Sequence, residues 1–250
     1  MYEASSGSRL HDPLGLSSLT RRLDILRRQF LNHRFERRSP LRPLPRSSLS
    51  LVYDHEVAFP PYRLLMQPGT QTVDGLFFLV SLAQALGAMS VFEIGTYLGL
   101  TAWMLARNRA GAVVHTLDIP SEENPTLPVG KDDLHRASRD KLVYHWLPRN
   151  GTVVQHWGDS ARFDFSPWYG QVDLVYVDGA HSEPYVRSDT ERALEMVSPA
   201  GAIVWDDYWR LSPGVVAVLN ELDHLERWRV PGTRLVVHLQ EEARLKLIRE

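Results

Sequence analysis

The stretch VFEIGTYLGLT, Val91–Thr101, decides the fold. Val91, Phe92 and Ile94 make a short apolar strand, glycines at 95 and 99 make a turn, and Thr101 opens an apolar helix. From residue 73 onward the chain repeats this alternation. Val73–Leu86 reads as an apolar helix ended by Gly87, and Ser90–Gly95 as a strand. Thr101–Asn108 is a helix, Val113–Ile119 a second strand, and the loop SEENPTLPVG precedes a helix near Asp132–Leu147. Strands follow at Val153–Trp157, Val172–Asp178 and Ala202–Trp205, with helices at Glu183–Val197 and Val215–Leu225. The end, WRVPGTRLVVHL, reads as two strands about a Pro-Gly turn. Such alternation argues for a parallel sheet covered on both faces, whose ligands sit at the carboxyl edge of the strands.

With 250 residues, 44% of them hydrophobic, the chain can bury the core of one α/β domain with an appendage. The net charge of −2 offers no global attraction for nucleic acid or an acidic membrane. No apolar run approaches the ~18 residues of a membrane span, and no signal-peptide core is present. The absence of cysteine excludes disulfides and thiolate chemistry and fits a reducing, cytoplasmic location. Charge is unevenly spread: residues 1–50 hold ten arginines, no lysine and four acids. There Leu16, Leu19, Leu23, Leu26 and Phe30 recur at helical spacing, and SPLRPLPRSS reads as an extended connector. Residues 1–60 are therefore expected to form a basic, partly helical arm that packs on the domain, caps a pocket or joins a second subunit in a homodimer. Its acids and proline-rich tail weigh against a transit peptide. The domain proper is expected over 61–250.

The turn itself narrows the ligand. A phosphate-binding Walker loop needs a lysine, and this turn has none. The dinucleotide fingerprint needs G-x-G-x-x-G, whereas Gly95 and Gly99 are spaced G-x-x-x-G with Tyr97 and Leu98 between them. The run Glu93-Ile94-Gly95-Thr96-Tyr97-Leu98-Gly99-Leu100-Thr101 resembles the first motif of class I S-adenosylmethionine-dependent methyltransferases, closest to the E-x-G-x-Y-x-G-x-[ST] form of the catechol and caffeoyl-CoA O-methyltransferases. The resemblance implies a Rossmann-like, doubly wound sheet of seven strands in the order 3-2-1-4-5-7-6, the last antiparallel. Glu93, Gly95, Tyr97, Gly99 and Thr101 would then border the methionine part of S-adenosylmethionine. Asp118, at the end of the next strand, would take the ribose hydroxyls, and Ile119 would pack on the adenine. Gly158, Asp159 and Ser160 would contact the adenine one strand later.

Two later segments bear on the chemistry. VDLVYVDGAH ends a strand on Asp178 with His181 three residues on, and AIVWDDY ends the next on Asp206 and Asp207. Three converging carboxylates would repel one another, and a divalent cation relieves that. The pair resembles the metal-dependent O-methyltransferases, nearest the V-D-G-x-H branch that includes bacterial sugar O-methyltransferases. It implies Mg²⁺ on Asp178, Asp206 and Asp207, with Asp178 also beside the cofactor and His181 as the base acting on a small hydroxylated acceptor. The other readings of the same residues are metal-independent methylation through His181 and a non-catalytic nucleoside-binding protein with a partner-binding arm. Asp178 as a plain helix cap is the bland one. Nothing in the core supports a nucleic-acid substrate. Tyr208 and Trp209 are candidates for an acceptor wall, and Asp189, Glu191 and Arg192 read as a solvated helix face.

Overall fold

A computed structural model describes residues 35–67, 69–130 and 142–248. The chain divides into two units, residues 1–39 and 40–250. Of the first, the described residues close one turn, in which the Arg38 amide donates to the Phe35 carbonyl at 2.9 Å. The apolar repeat of Leu16–Phe30 lies outside the described residues, and with it the expected arm helix.

The second unit is built on eight strands: β1 (Arg42–Pro43), β2 (Ser90–Ile94), β3 (Val113–Asp118), β4 (Thr152–Trp157), β5 (Val172–Val177), β6 (Val197–Trp205), β7 (Trp228–Arg229) and β8 (Val236–Leu239). Their order is β1-β7-β8-β6-β5-β2-β3-β4. Seven of them reproduce the expected order, with β8 antiparallel to both β6 and β7. The eighth, β1, was expected to be part of a connector and instead pairs in parallel with β7. The pairing is driven by burial of its neighbours: Leu41 and Leu44 are 7% and 4% exposed, and the Leu44 amide donates to the Arg229 carbonyl.

Helix α1 (Arg46–Val52) follows at once, with prolines tolerated before its first turn. Val52 is buried, and the Tyr53 ring meets Phe77 at a tilt and Phe78 edge-on, with centroids 5.2 and 6.1 Å away. Residues 40–53 thus contribute to the same core as the sheet. After the short α2 (Tyr62–Leu65) comes α3 (Val73–Leu86), at the bounds read from its apolar run. Thr72 caps it by accepting the Gly75 amide, and Gly87 ends it at φ +75°. Helix α4 (Leu100–Asn108) starts one residue earlier than expected, with Gly99 at its cap. Helices α5 (Glu183–Met196), α6 (Pro213–Glu221) and α7 (Glu241–Leu247) complete the layers. Most of the helix expected near Asp132–Leu147 lies outside the described residues, and its tail, Val143–His145, is a 3₁₀ turn. Among the described residues, no helix is long and apolar enough to cross a membrane.

Candidate active site

Parallel pairing sets the site. In register, Ile94 of β2 lies beside Leu117 of β3 and Val177 of β5, and Val177 lies beside Trp205 of β6. The residues that follow these four positions therefore meet at one edge: Gly95, Asp118, Asp178 and Asp206.

Gly95 adopts φ +101°, and its amide donates to the Leu117 carbonyl at 2.8 Å. A Cβ there would lie 2.0 Å from the Asp178 carbonyl oxygen. The first demand for glycine is thus the main chain of the neighbouring strand end, in addition to any ligand. Tyr97 is also left-handed, at φ +49°, a conformation non-glycine residues seldom adopt without support. The support is Asp118, whose Oδ2 accepts the Thr96 and Tyr97 amides at 3.0 and 2.8 Å. Beneath the turn, Thr96 and Thr116 share a hydroxyl contact of 2.7 Å, and Thr116 donates to Glu93. Glu93 is 1% exposed, and burial pushes its carboxyl up to about 8, with the Thr116 hydroxyl opposing and Asp118 adding to the rise.

Above this floor lies an open crevice lined by Glu93, Gly95, Tyr97, Thr101 and Asp178 together with Gly69, Thr70 and Gln71. Segment 69–71 carries no motif, and its place in the site was not legible in the sequence. Gln71 is 5% exposed, and its Nε2 donates to the Tyr176 hydroxyl at 3.1 Å. That hydroxyl stands 3.1 Å from Asp178 Oδ2 and 3.3 Å from Asp206 Oδ2. A phenol has one proton for two carboxylates, so it bridges them without satisfying both. Asp178 is raised well above the carboxylate range, first by burial and then by Asp206, Asp207 and Glu93. Asp206, 5% exposed, is raised by burial and by Asp207.

Asp207 differs. Its φ is +56°, its Oδ2 lies 2.8 Å from His181 Nε2, and its Oδ1 lies 2.8 Å from Arg234 Nη1. Burial would raise it, but His181 and Arg234 outweigh that and hold it below the usual range. Ligand atoms of Asp178, His181 and Asp207 lie within 4.8 Å of one another, a group that brings in His181 and leaves out Asp206. Arg234 was missed in the sequence reading. The only signal was its place just after a Pro-Gly turn between β7 and β8.

The remaining expected residues divide. Gly158 and Ser160 follow β4, and the Gly158 amide donates to the Asp118 carbonyl at 3.0 Å, which puts them and Ile119 at the same edge. Asp159 is 2% exposed and fully engaged. Its Oδ2 accepts the Thr126 amide and hydroxyl at 2.7 and 2.6 Å, and its Oδ1 accepts the Tyr185 hydroxyl at 2.8 Å and the Ala161 amide at 3.0 Å. It therefore pins the loop after β3. Ser182 adds a second tie by donating to the Pro128 carbonyl at 2.6 Å. Two expectations are corrected. Asp189 is not on a solvated face: it is 1% exposed, and burial raises it to about 7. Tyr208 is not a pocket wall, since it is 4% exposed with its hydroxyl on Asn220 Oδ1.

Residues 92–208 match a family model described as a methyltransferase domain. None of the curated proteins matches the chain. Among solved structures, it is similar to the S-adenosylhomocysteine-bound methyltransferase PaMTH1 of Podospora anserina, at 15% identity over 94% of this chain and 99% of that one, TM-score 0.50. It is also similar to a methyltransferase from Geobacter sulfurreducens, at 15% identity over 80% of this chain and 98% of the other, TM-score 0.52. At such identities the likeness establishes the Rossmann-like methyltransferase fold.

Proposed function

We propose that this chain, whose residues 92–208 match a methyltransferase-domain family model, moves the methyl group of S-adenosylmethionine to a hydroxyl of a small molecule. One observation carries the reading: Asp178 both borders the crevice over Gly95 and belongs to the group with His181 and Asp207. Donor and acceptor sites thus share a residue, which is the proximity that in-line transfer needs.

The cofactor's own residues fit. Thr101 lies in the first turn of α4, where its hydroxyl and the unpaired amides can meet the cofactor carboxylate. Glu93 lies at the floor, where it would face the ammonium end of the cofactor. The ribose would share Asp118 with the turn amides that this carboxylate already accepts. Ile119, Gly158 and Ser160 would border the adenine, and Asp159 shapes that wall through Thr126 instead of touching the base. For the acceptor, His181 stands with Nε2 2.8 Å from Asp207 Oδ2, and its imidazole would take the hydroxyl proton. The oxygen then bonds to the methyl carbon, the carbon–sulfur bond breaks, and S-adenosylhomocysteine leaves. A divalent cation such as Mg²⁺ would meet atoms of Asp178, Asp207 and His181, but Asp207 already faces His181 and Arg234, so a cation there, which would supply Lewis acidity toward the acceptor hydroxyl, has to compete with both. The expected third carboxylate, Asp206, is instead turned to Tyr176 and the Asp207 amide.

The test is transfer of labelled methyl from S-adenosylmethionine to a panel of phenols and sugars. The expected product is an O-methyl ether, with His181→Ala slower by roughly 10²–10⁴-fold. Label found only on nitrogen, or a fully active His181→Ala, would contradict the reading.

A further inference from the structure

The aspartates at this edge already have a positive partner in the chain itself. Arg234 sits between β7 and β8, and its guanidinium is held at both ends. Nη1 lies 2.8 Å from Asp207 Oδ1, Nη2 lies 3.8 Å from Asp206 Oδ2, and the group lies 5.3 Å from the centre of the Trp209 ring. Its main chain is fixed as well. The Arg234 carbonyl accepts the Tyr208 amide at 2.9 Å, and Thr233 ties the turn by donating to the Val230 carbonyl and accepting the Leu235 amide. The Arg234 side chain is 22% exposed, so little water screens it from the acids.

Two of the carboxylates at this edge, Asp206 and Asp207, therefore already have partners in the chain, and Asp207 Oδ1 meets Arg234 as an ion pair. Asp207 has His181 on one oxygen and Arg234 on the other. Asp206 accepts the Asp207 amide at 2.6 Å on Oδ1 and faces Tyr176 and Arg234 with Oδ2. A divalent cation binding Asp207 would have to displace one of these partners, and it would sit beside a fixed positive charge.

We propose that Arg234 stands in for the divalent cation at this edge, holding Asp207, and through it His181, in place, so that the protein binds divalent metal ions weakly. This deepens the functional reading, because the residue so positioned is the proposed base. Arg234 is a positioning residue, since it acts through Asp207.

Mn²⁺ alone serves as the probe, titrated calorimetrically into the full chain with and without S-adenosylhomocysteine. Wild type is expected to bind it in the millimolar range, as weak oxygen-ligand sites do. Arg234→Met is expected to bind at least about tenfold tighter, because the competing charge is gone, and Arg234→Lys to stay close to wild type. A purely structural role would weaken Mn²⁺ binding or leave it alone, but would not strengthen it. If Arg234→Met does not fold, Arg234→Gln is the second neutral variant. Micromolar Mn²⁺ binding by wild type, or neutral variants that bind no tighter, would overturn the proposal. Failure of S-adenosylhomocysteine to bind would remove the functional reading and leave the Mn²⁺ comparison intact.

Discussion

The glycine turn and the acidic cluster beside it are built from different materials. The glycine-turn side is main chain: left-handed Gly95 and Tyr97, the Thr96 and Tyr97 amides, and one carboxylate, Asp118, that closes them. The acidic side is side chain: Asp178, His181, Asp207 and Arg234 come from the ends of β5 and β6 and from the β7–β8 turn. A main-chain site depends on steric room and tolerates little change at a few positions. A side-chain site depends on charge balance, so its failures should be graded and sensitive to pH.

The largest effect should come from adding a Cβ on the turn side. In Gly95→Ala that atom meets the Asp178 carbonyl at 2.0 Å in a backbone region alanine avoids, so both sides must move apart. The expected loss is about 4 kcal/mol or more in chemical unfolding, with cofactor binding lost. Wild-type stability in this variant would show that the two strand ends are not packed as described.

Glu93 tests charge balance beneath the turn. The folded state keeps its proton until about pH 8, whereas the unfolded chain releases it near 4.5, so the folded state binds more protons in between. Stability should therefore fall as pH rises across that window, by on the order of a few kcal/mol. Glu93→Gln should be flatter there in urea unfolding at pH 5, 6.5 and 8. Parallel curves for the two proteins would refute the buried-acid description.

Asp118→Ala removes a charged acceptor from two amides and from the proposed ribose contact. Affinity for S-adenosylhomocysteine should drop by roughly 10–100-fold, the value of a hydrogen bond to a charged group. An unchanged affinity would confine Asp118 to shaping the turn. The smallest effect is expected on the acidic side. Tyr176→Phe deletes the hydroxyl between Asp178 and Asp206 and orphans the Gln71 amide, for about 1 kcal/mol in stability. Methyl transfer should fall through kcat more than KM, since the acids shift while the cofactor floor stays. A KM effect alone would place Tyr176 in the cofactor half.

The same contrast explains what could be read in advance. The order of seven strands was legible because most are short apolar runs and the first glycine motif resembles a known one, whereas β1, Arg42–Pro43, is neither apolar nor long. Gly95, Asp118, Asp178 and Asp206 were legible as an edge because parallel register brings strand ends together without any side-chain detail. What stayed hidden depends on tertiary pairing. Arg234 sits 27 residues beyond Asp207 in a turn with no motif. Gln71 belongs to segment 69–71, which carries no motif. Asp159 was read as a ligand contact, yet its oxygens went to Thr126, Tyr185 and Ala161, partners no local spacing reveals. Asp189 looked solvated because its neighbours Glu191 and Arg192 are charged, but helical phase turns it toward the sheet.

The central claim is that one crevice over Gly95 receives S-adenosylmethionine. Calorimetric titration of the full chain with S-adenosylhomocysteine measures it directly. One site per chain with micromolar affinity, weakened in Asp118→Ala, is the expected result; no heat of binding in wild type at millimolar ligand would contradict it.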